Sequence, residues 1–427
     1  MRDAITWSYD LLGAPEQAVF RRLGVLVGGF GLDAAAAVAD REAGAIAEHL
    51  EALLNQSLVR REERGDGDPR FGMLETIREF ALDQLVASGE RAEVARRHAS
   101  YFADLVRRAE TALWTAGADD WIGVFGLEAD QANIRAALHW LAADDPIRHV
   151  RMAGPLGMFW YEYGHLAEGR RWLDGALTIA ARLGDILPAP DHALALMGSG
   201  LISQMQGDVV EAQSSLEQGL ARAAEAGGSW RAMVARSLLS GVLVSRGRYD
   251  EAEPLFEVAL AQWRTLENPI WTGHALFHLG LVRYARRDWD GAVPLLADAV
   301  PMYEGFGDEL GASDPLHYLA LVACERGDFA RAAGIMADVL GRLRRRGSEP
   351  ALADGLADVA TLATCRGDPA VSARLFGAAA RLLEAGGGAY SLPGRETYER
   401  VQATTRQVLP EADWLAEFAA GRAMPPD

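Results

Sequence analysis

A six-residue element recurs along this chain at a nearly fixed interval: GHLAEG from Gly164, GDVVEA from Gly207, GRYDEA from Gly247, RDWDGA from Arg287, GDFARA from Gly327 and GDPAVS from Gly367. The first interval is 43 residues and the next four are 40. A second set of turn residues, Gly184, Gly227, Asn268, Gly307 and Gly347, with Gly386 to Gly388, runs in phase with the first, about half a period later. Self-similarity at such a period is the signature of a stacked array, in which each unit buries its apolar face against the next. Arrays of this kind recognise partners far more often than they perform chemistry.

Each period reads as a pair of helices. Apolar residues at three- and four-residue spacing fill the stretch before each element, such as MVARSLLSGVLVSRG, and the stretch after it, such as AEPLFEVALAQWRTL. The glycine between them supplies the positive φ of a helix end. Small residues sit where the two helices would cross: Gly200, Ser240, Gly280, Ala320 and Ala360 in first helices, and Ala212, Ala252, Ala292 and Ala332 in second helices. They let the backbones approach to the short end of the ~8–10 Å interaxial range. Leu216, Phe256, Leu296, Met336 and Phe376 fill the space further along.

With this pattern, residues 150–388 resemble the tetratricopeptide repeat family, in a variant longer than the usual period of about 34 residues. Gly169 replaces the usual Ala in the first unit and Ser372 replaces it in the last. The resemblance implies a mostly α chain whose main body is a right-handed α-solenoid of about six helix pairs. It also implies a partner groove lined by first helices. Carried over residue by residue, that groove takes Met158, Tyr161, Leu194, Met197, Leu201, Gln204, Val234, Ser237, Val244, His274, Phe277, Leu281, Tyr284, Asp314, His317, Leu321, Glu325, Asp354 and Thr361. The set is apolar to weakly polar, with acids toward its C-terminal end. It lacks a basic clamp for a peptide carboxylate, so the expected ligand is an extended apolar or basic segment of a protein or peptide. A small-molecule inducer is the alternative. The same residues also suit packing against an adjoining domain or a closing C-terminal helix.

Residues 1–91 follow another pattern: helices at Asp3–Leu12, Pro15–Leu23, Leu32–Ala39 and Gly44–Gln56, a VGGF turn after the second, then strands SLVRREE and RFGML about a Gly/Asp loop, and the helix ETIREFALDQLVASG. Helices followed by such a hairpin describe a winged helix. The stretches AITWSYDLL, EQAVFRRLGVLVGGFGLDAA, LLNQSLVRRE and RFGMLETIREFALDQL, with LEADQANIRAALHWL further on, resemble the winged-helix module of NB-ARC-type (STAND) signal-transduction ATPases, among them large bacterial transcriptional regulators. In that family Met-His-Asp ends the wing, with the His near a nucleotide phosphate. The matching residues here are Met73, Leu74 and Glu75, and a leucine donates nothing to a phosphate. The resemblance starts at Met1, where those relatives already have an ATPase core upstream. The expectation is therefore a chain that works with an ATPase domain missing upstream, either as a fragment of a longer product or as a stand-alone descendant. Residues 92–149 read as a helical connector, with Pro146 marking a break before the first complete repeat, and residues 389–427 as capping helices, with Trp414, Leu415 and Phe418 over the end of the stack and a frayed tail.

Composition narrows the chemistry. All 42 basic residues are Arg, so the chain has no lysine for a P-loop or a Schiff base. A formal charge of −18 opposes broad phosphate binding. The natural recognition helix, Gly44–Gln56, carries Glu48 and Glu51 and no Arg, which argues against direct DNA binding. Arg60, Arg61, Arg64 and Arg70 on the wing are the candidates for any nucleic-acid contact, interleaved with Glu62, Glu63, Asp66 and Asp68. His274 and His278 have the spacing of two metal ligands on one helix face, but no third ligand is evident. Cys324 and Cys365 read as reduced thiols. No apolar run suits a membrane span and no secretory signal opens the chain, so the expected location is cytoplasmic. The expected function is non-catalytic and without cofactor: a regulatory, signal-transducing protein that binds its partner through the groove. A constitutive scaffold is the alternative, and a transcription factor reading DNA through the winged helix ranks below both.

Overall fold

The computed structural model describes residues 2–62, 69–115, 126–227, 230–305, 307–346, 349–386, 390 and 393–424. The chain is mostly α-helical, with a winged helix at its N-terminus and tetratricopeptide-like helix pairs after it. It divides into two compact units, one running through Ile202 and the other from Ser203 onward, apart from Thr115, which groups with the second.

The winged helix is built from α1 (Arg2–Asp10), α2 (Ala14–Leu23), α3 (Leu32–Ala39), α4 (Ala43–Asn55) and α5 (Glu75–Ala87). Val19, Phe20 and Leu23 of α2 face Ala35 and Val38 of α3, Leu50 and Leu53 of α4, and Phe80 and Ala81 of α5, all buried. The sheet has three strands, β1 (Phe30–Gly31), β2 (Arg60–Glu62) and β3 (Arg70–Gly72), in the order β1-β3-β2 with antiparallel pairing. The VGGF segment expected as a turn therefore ends in a strand, with Phe30 opposite Phe71. Local sequence could not show this, because two residues become a strand only when a distant one offers its open edge. The Gly/Asp loop of the wing, with Arg64, lies outside the described residues.

The connector holds α6 (Arg91–Thr115) and α7 (Gln131–Asp144). The first helix of the first pair is broken into α8 (Pro146–Ala153) and α9 (Leu156–Glu162), and α10 (Leu166–Leu183) returns beside it. Gly169 admits Trp160 here, since a Cβ at that position would stand 2.8 Å from the Trp160 Cβ. Next come α11 (Ala189–Met205) and, in the second unit, α12 (Val209–Glu225), followed by four pairs: α13 (Trp230–Ser245) with α14 (Tyr249–Thr265), α15 (Pro269–Ala285) with α16 (Trp289–Glu304), α17 (Glu309–Glu325) with α18 (Phe329–Arg346), and α19 (Glu349–Cys365) with α20 (Pro369–Gly386). Two closing helices follow, α21 (Gly394–Val408) and α22 (Glu411–Arg422).

The recurring element has a physical cause at each position. Its first residue takes positive φ, between 70° and 83° at Gly164, Gly207, Gly247, Gly327 and Gly367, and 58° at Arg287. The next residue caps the second helix: Asp208, Asp288 and Asp328 each accept a backbone N–H three residues on. At the half-period turn before α15 it is Glu267 that takes positive φ, while Asn268 caps by accepting from Trp271 N at 3.1 Å. Ala252, Ala292 and Ala332 are fully buried at the crossings, with Phe256 and Leu296 packed below them, and Ala212 and Leu216 are likewise buried. A Cβ on Gly280 would lie 2.7 Å from Leu296, so that crossing tolerates no larger residue.

Candidate functional site

In the second unit, the first helices α13, α15, α17 and α19 pack side by side, so one stripe of each contributes to a common face. Most of the residues assigned to a groove are consumed by packing. Within the first unit Met197 and Leu201 are buried, while Met158 and Tyr161 are half-buried. In the second, Ser237, Val244, Phe277, Leu281 and Tyr284 are buried, and Gln204, His274 and His317 are half-buried. Ser237 accepts from Trp263 Nε1 at 3.0 Å, and its own hydroxyl donates to Met233 O. The His274 and His278 rings stand 4.2 Å apart beside Phe256 and Trp271. Burial lowers both imidazoles, His278 to about 4, which leaves the pair uncharged. Among the described residues no group of three or more His, Cys, Asp or Glu is placed to hold a metal ion.

Where the face reaches α15, α17 and α19, the chain's own α21 lies on it. Tyr284 and Thr397 share a hydroxyl hydrogen bond of 2.8 Å. Glu325 pairs with Arg400 at 2.5 Å, and Thr364 meets Thr405 at 2.9 Å. The centre of the contact is Asp358, 1% exposed, which accepts from Tyr398 Oη at 2.9 Å and from His317 Nδ1 at 2.5 Å. Burial opposes charge on His317, but the adjoining Asp358, its hydrogen bond, and the charges of Asp354 and Asp314 outweigh it and raise His317 to about 9. The imidazole is therefore a cation at neutral pH, and it compensates the buried carboxylate. Asp354 is half-buried, and its desolvation, with the Asp358 charge beside it, raises it to about 6 against the pull of His317; Asp314 is exposed at the edge of the cluster. One histidine cation thus faces three aspartates, which leaves this part of the face acidic.

Three predicted groove residues, Tyr284, His317 and Glu325, meet at this site, all engaged by α21 or its network. Asp358, Thr397, Tyr398 and Arg400 were missed. A carboxyl inside the apolar run GLADVATLATC, and the spacing of Thr397, Tyr398, Val401 and Thr405 on one helix face, were the available signals. Of the three closing residues, Trp414 is buried, Phe418 is half-buried, and Leu415 points to solvent at 55% exposure. The α20–α22 contact leaves little room, because Gly421 packs directly on the Arg374 carbonyl. Cys324 and Cys365 are free thiols in hydrogen-bond contact, the first buried and the second exposed.

On the winged helix, Arg70 is committed within the fold. Its guanidinium donates to Asp130 Oδ1 at 2.7 Å, Gly29 O at 2.9 Å and Ala129 O at 3.2 Å, which corrects its reading as a phosphate contact. Arg60 and Arg61 are exposed, and Arg60 stands 3.5 Å from Glu62. The solvent side of α4 shows Gly44, Ala45, Ala47, Glu48, Glu51 and Asn55, with no cation among them. Leu74, at the wing's end, is 53% exposed.

Comparison with known proteins follows this division. Residues 12–86 match the family described as the winged helix-turn-helix domain, and residues 230–305 match the tetratricopeptide repeat. A Mycobacterium tuberculosis protein named "Putative HTH-type transcriptional regulator", and one of the same description from Mycobacterium bovis, are 36% identical over 181 residues, which is 42% of this chain and 20% of theirs. The chain thus spans about a fifth of the length of these relatives. The crystal structure of a signal-transduction ATPase with numerous domains and a tetratricopeptide repeat sensor, from Pyrococcus horikoshii, aligns over 97% of this chain and 66% of that one, with a TM-score of 0.53 and 13% identity. That likeness is one of fold. No helix among the described residues is long and apolar enough to cross a membrane.

Proposed function

We propose that this chain is a non-catalytic regulatory module whose repeat array binds a protein or peptide segment and whose winged helix passes occupancy on to a nucleotide-binding core. The observation that carries this reading is α21 itself, a helix seated on the first-helix face through side-chain clamps from α15, α17 and α19. A surface that holds one helix this way has the chemistry to hold another. The relatives in mycobacteria support a regulatory setting, and the likeness to the P. horikoshii protein, which carries a tetratricopeptide repeat sensor, supports a sensing role for the array. In this reading the ATPase core lies in the same product or in a separate chain. A switch of this kind draws its energy from the partner's differential affinity for two arrangements of the chain.

Direct DNA recognition is not part of the proposal, because α4 offers bases and phosphates no cation. The test is capture of partners from the host by the full chain, with Asp314→Arg and Glu325→Arg as face variants and Glu48→Arg on α4 as control. Loss of a partner with the face variants alone is the expected result. Equal capture by all three removes the assignment.

A further inference from the structure

We propose that α21 is an intramolecular occupant of the first-helix face, and that the surface is built to receive an amphipathic, cationic partner helix that displaces it. This rests on the reading of the array as a partner-binding surface and adds what that surface recognises. The side of α21 that meets the array is Gly394, Thr397, Tyr398, Val401 and Thr405, a single stripe at helical spacing, while Arg395, Glu396, Glu399 and Arg406 face solvent. Around the buried Tyr398 and Val401, two threonine hydroxyls, one tyrosine hydroxyl and one arginine find polar partners on the array. Phe376 of α20 meets the Tyr398 ring at 6.3 Å, so one apolar contact accompanies these polar clamps.

The next helix shows a contrast within one segment. Trp414 of α22 is buried, and Gly421 sits on the backbone of α20. So α22 anchors the C-terminal segment while α21 lies across the face as a strap. Extended chain covers about 3.3 Å per residue, so α21 can leave the face while α22 stays in place. Departure of α21 would uncover Tyr284, Glu325 and the Asp358–His317 pair beside Asp314, which is already open.

Carboxylates outnumber cations on that surface, which selects a positively charged segment. Asp358 calls for a tyrosine hydroxyl, Tyr284 for a small hydroxyl one residue earlier, and Glu325 for an arginine two residues after the tyrosine, as Thr397, Tyr398 and Arg400 now supply. A tyrosine buried among weaker contacts is the expected anchor of such an interface.

The test uses the full chain and a fluorescein-labelled synthetic peptide of residues 393–409. In the unaltered protein the tethered helix competes at high effective concentration, so the added peptide binds poorly. Tyr398→Phe with Arg400→Glu removes two clamps from the strap, and the peptide is expected to bind this variant at least tenfold more tightly. Adding Glu325→Arg repels the peptide's arginine and should reverse most of that gain. A folded double variant that binds the peptide no better than the unaltered chain overturns the proposal. If the variant fails to fold, native-state hydrogen exchange of the unaltered chain decides. Amides of α21 at least tenfold less protected than those of α15, α17 and α19 support the strap, and equal protection overturns it. Such a failure would leave partner capture through Asp314 and Glu325 standing as a separate result.

Discussion

Asn133 joins the connector to the winged helix across more than a hundred residues of sequence: its Oδ1 accepts from Val27 N at 2.7 Å and its Nδ2 donates to Gly29 O at 3.1 Å. The side chain is fully buried, and Asp130, next to it, takes Arg70 from β3. The VGGF segment, the wing and α7 are thus fixed by one polar node. Asn133→Ala strands the Val27 backbone donor, while Gly29 O keeps its bond from Arg70, so it should cost about 1–2 kcal/mol. Urea denaturation followed in the first unit measures this, and a loss under about 0.5 kcal/mol would show that the node is not structural.

Arg287 occupies the position where the other five repeats carry glycine, and it takes φ of 58° with its side chain in solvent. Left-handed backbone costs a residue with a Cβ about 1 kcal/mol. Arg287→Gly should therefore raise stability by about 0.5–1 kcal/mol, the low end reflecting the added freedom of the unfolded chain. Gly327→Ala, at φ 76° with open space around it, should lower stability by about 1 kcal/mol. Thermal unfolding of the two variants checks both signs.

The α21 contact carries a pH dependence whose direction can be worked out. His317 is raised to about 9 from 6.5, so its contribution is complete below about 6.5 and lost as pH rises through 9. The facing carboxyls Asp354 and Asp314 are also raised, and burial raises Asp358 against the pull of His317. A carboxyl that holds its proton more tightly when folded stabilises at low pH, so these groups act in the same direction as His317, and solvent damps the share of Asp314. Tyr318 and Tyr398, also packed there, are pushed upward by burial and stay neutral throughout. Stability of the second unit should fall steadily from pH 5 to pH 9, and His317→Gln should remove the decline above pH 6.5. A variant with an unchanged upper slope would contradict the assignment.

The two thiols should differ in reactivity. The hydrogen bond from Cys324 lowers the pKa of Cys365, which is exposed, while Cys324 is raised by the same contact and by burial. Iodoacetamide should alkylate Cys365 first, and peptide mapping of a partly labelled sample reads the order. Equal labelling would mean that the thiols do not touch.

The repeat body was legible because its causes are local. A positive-φ position followed by a cap, and an alanine at each crossing with a large residue one turn on, are visible in sequence as Gly207, Asp208, Ala212 and Leu216, and each behaves as its spacing implies. What escaped depends on partners remote in sequence. Phe30 becomes a strand only because Phe71 lies opposite, and Arg70 is lost to solvent only because Asp130 reaches it. The stripe of Tyr284, His317 and Glu325 was found, but periodicity cannot tell a face left for a partner from one covered by the chain's own helix. Tyr398 and Asp358 decide that question, and neither belongs to the repeat pattern.

The central claim is that regulation enters through the first-helix face of the array. Hydrogen exchange of the full chain with and without a captured host partner tests it most directly. The account predicts slower exchange along α15, α17 and α19 and faster exchange in α21, with α4 unchanged. Protection confined to the winged helix, with the array and α21 unaltered, would contradict it.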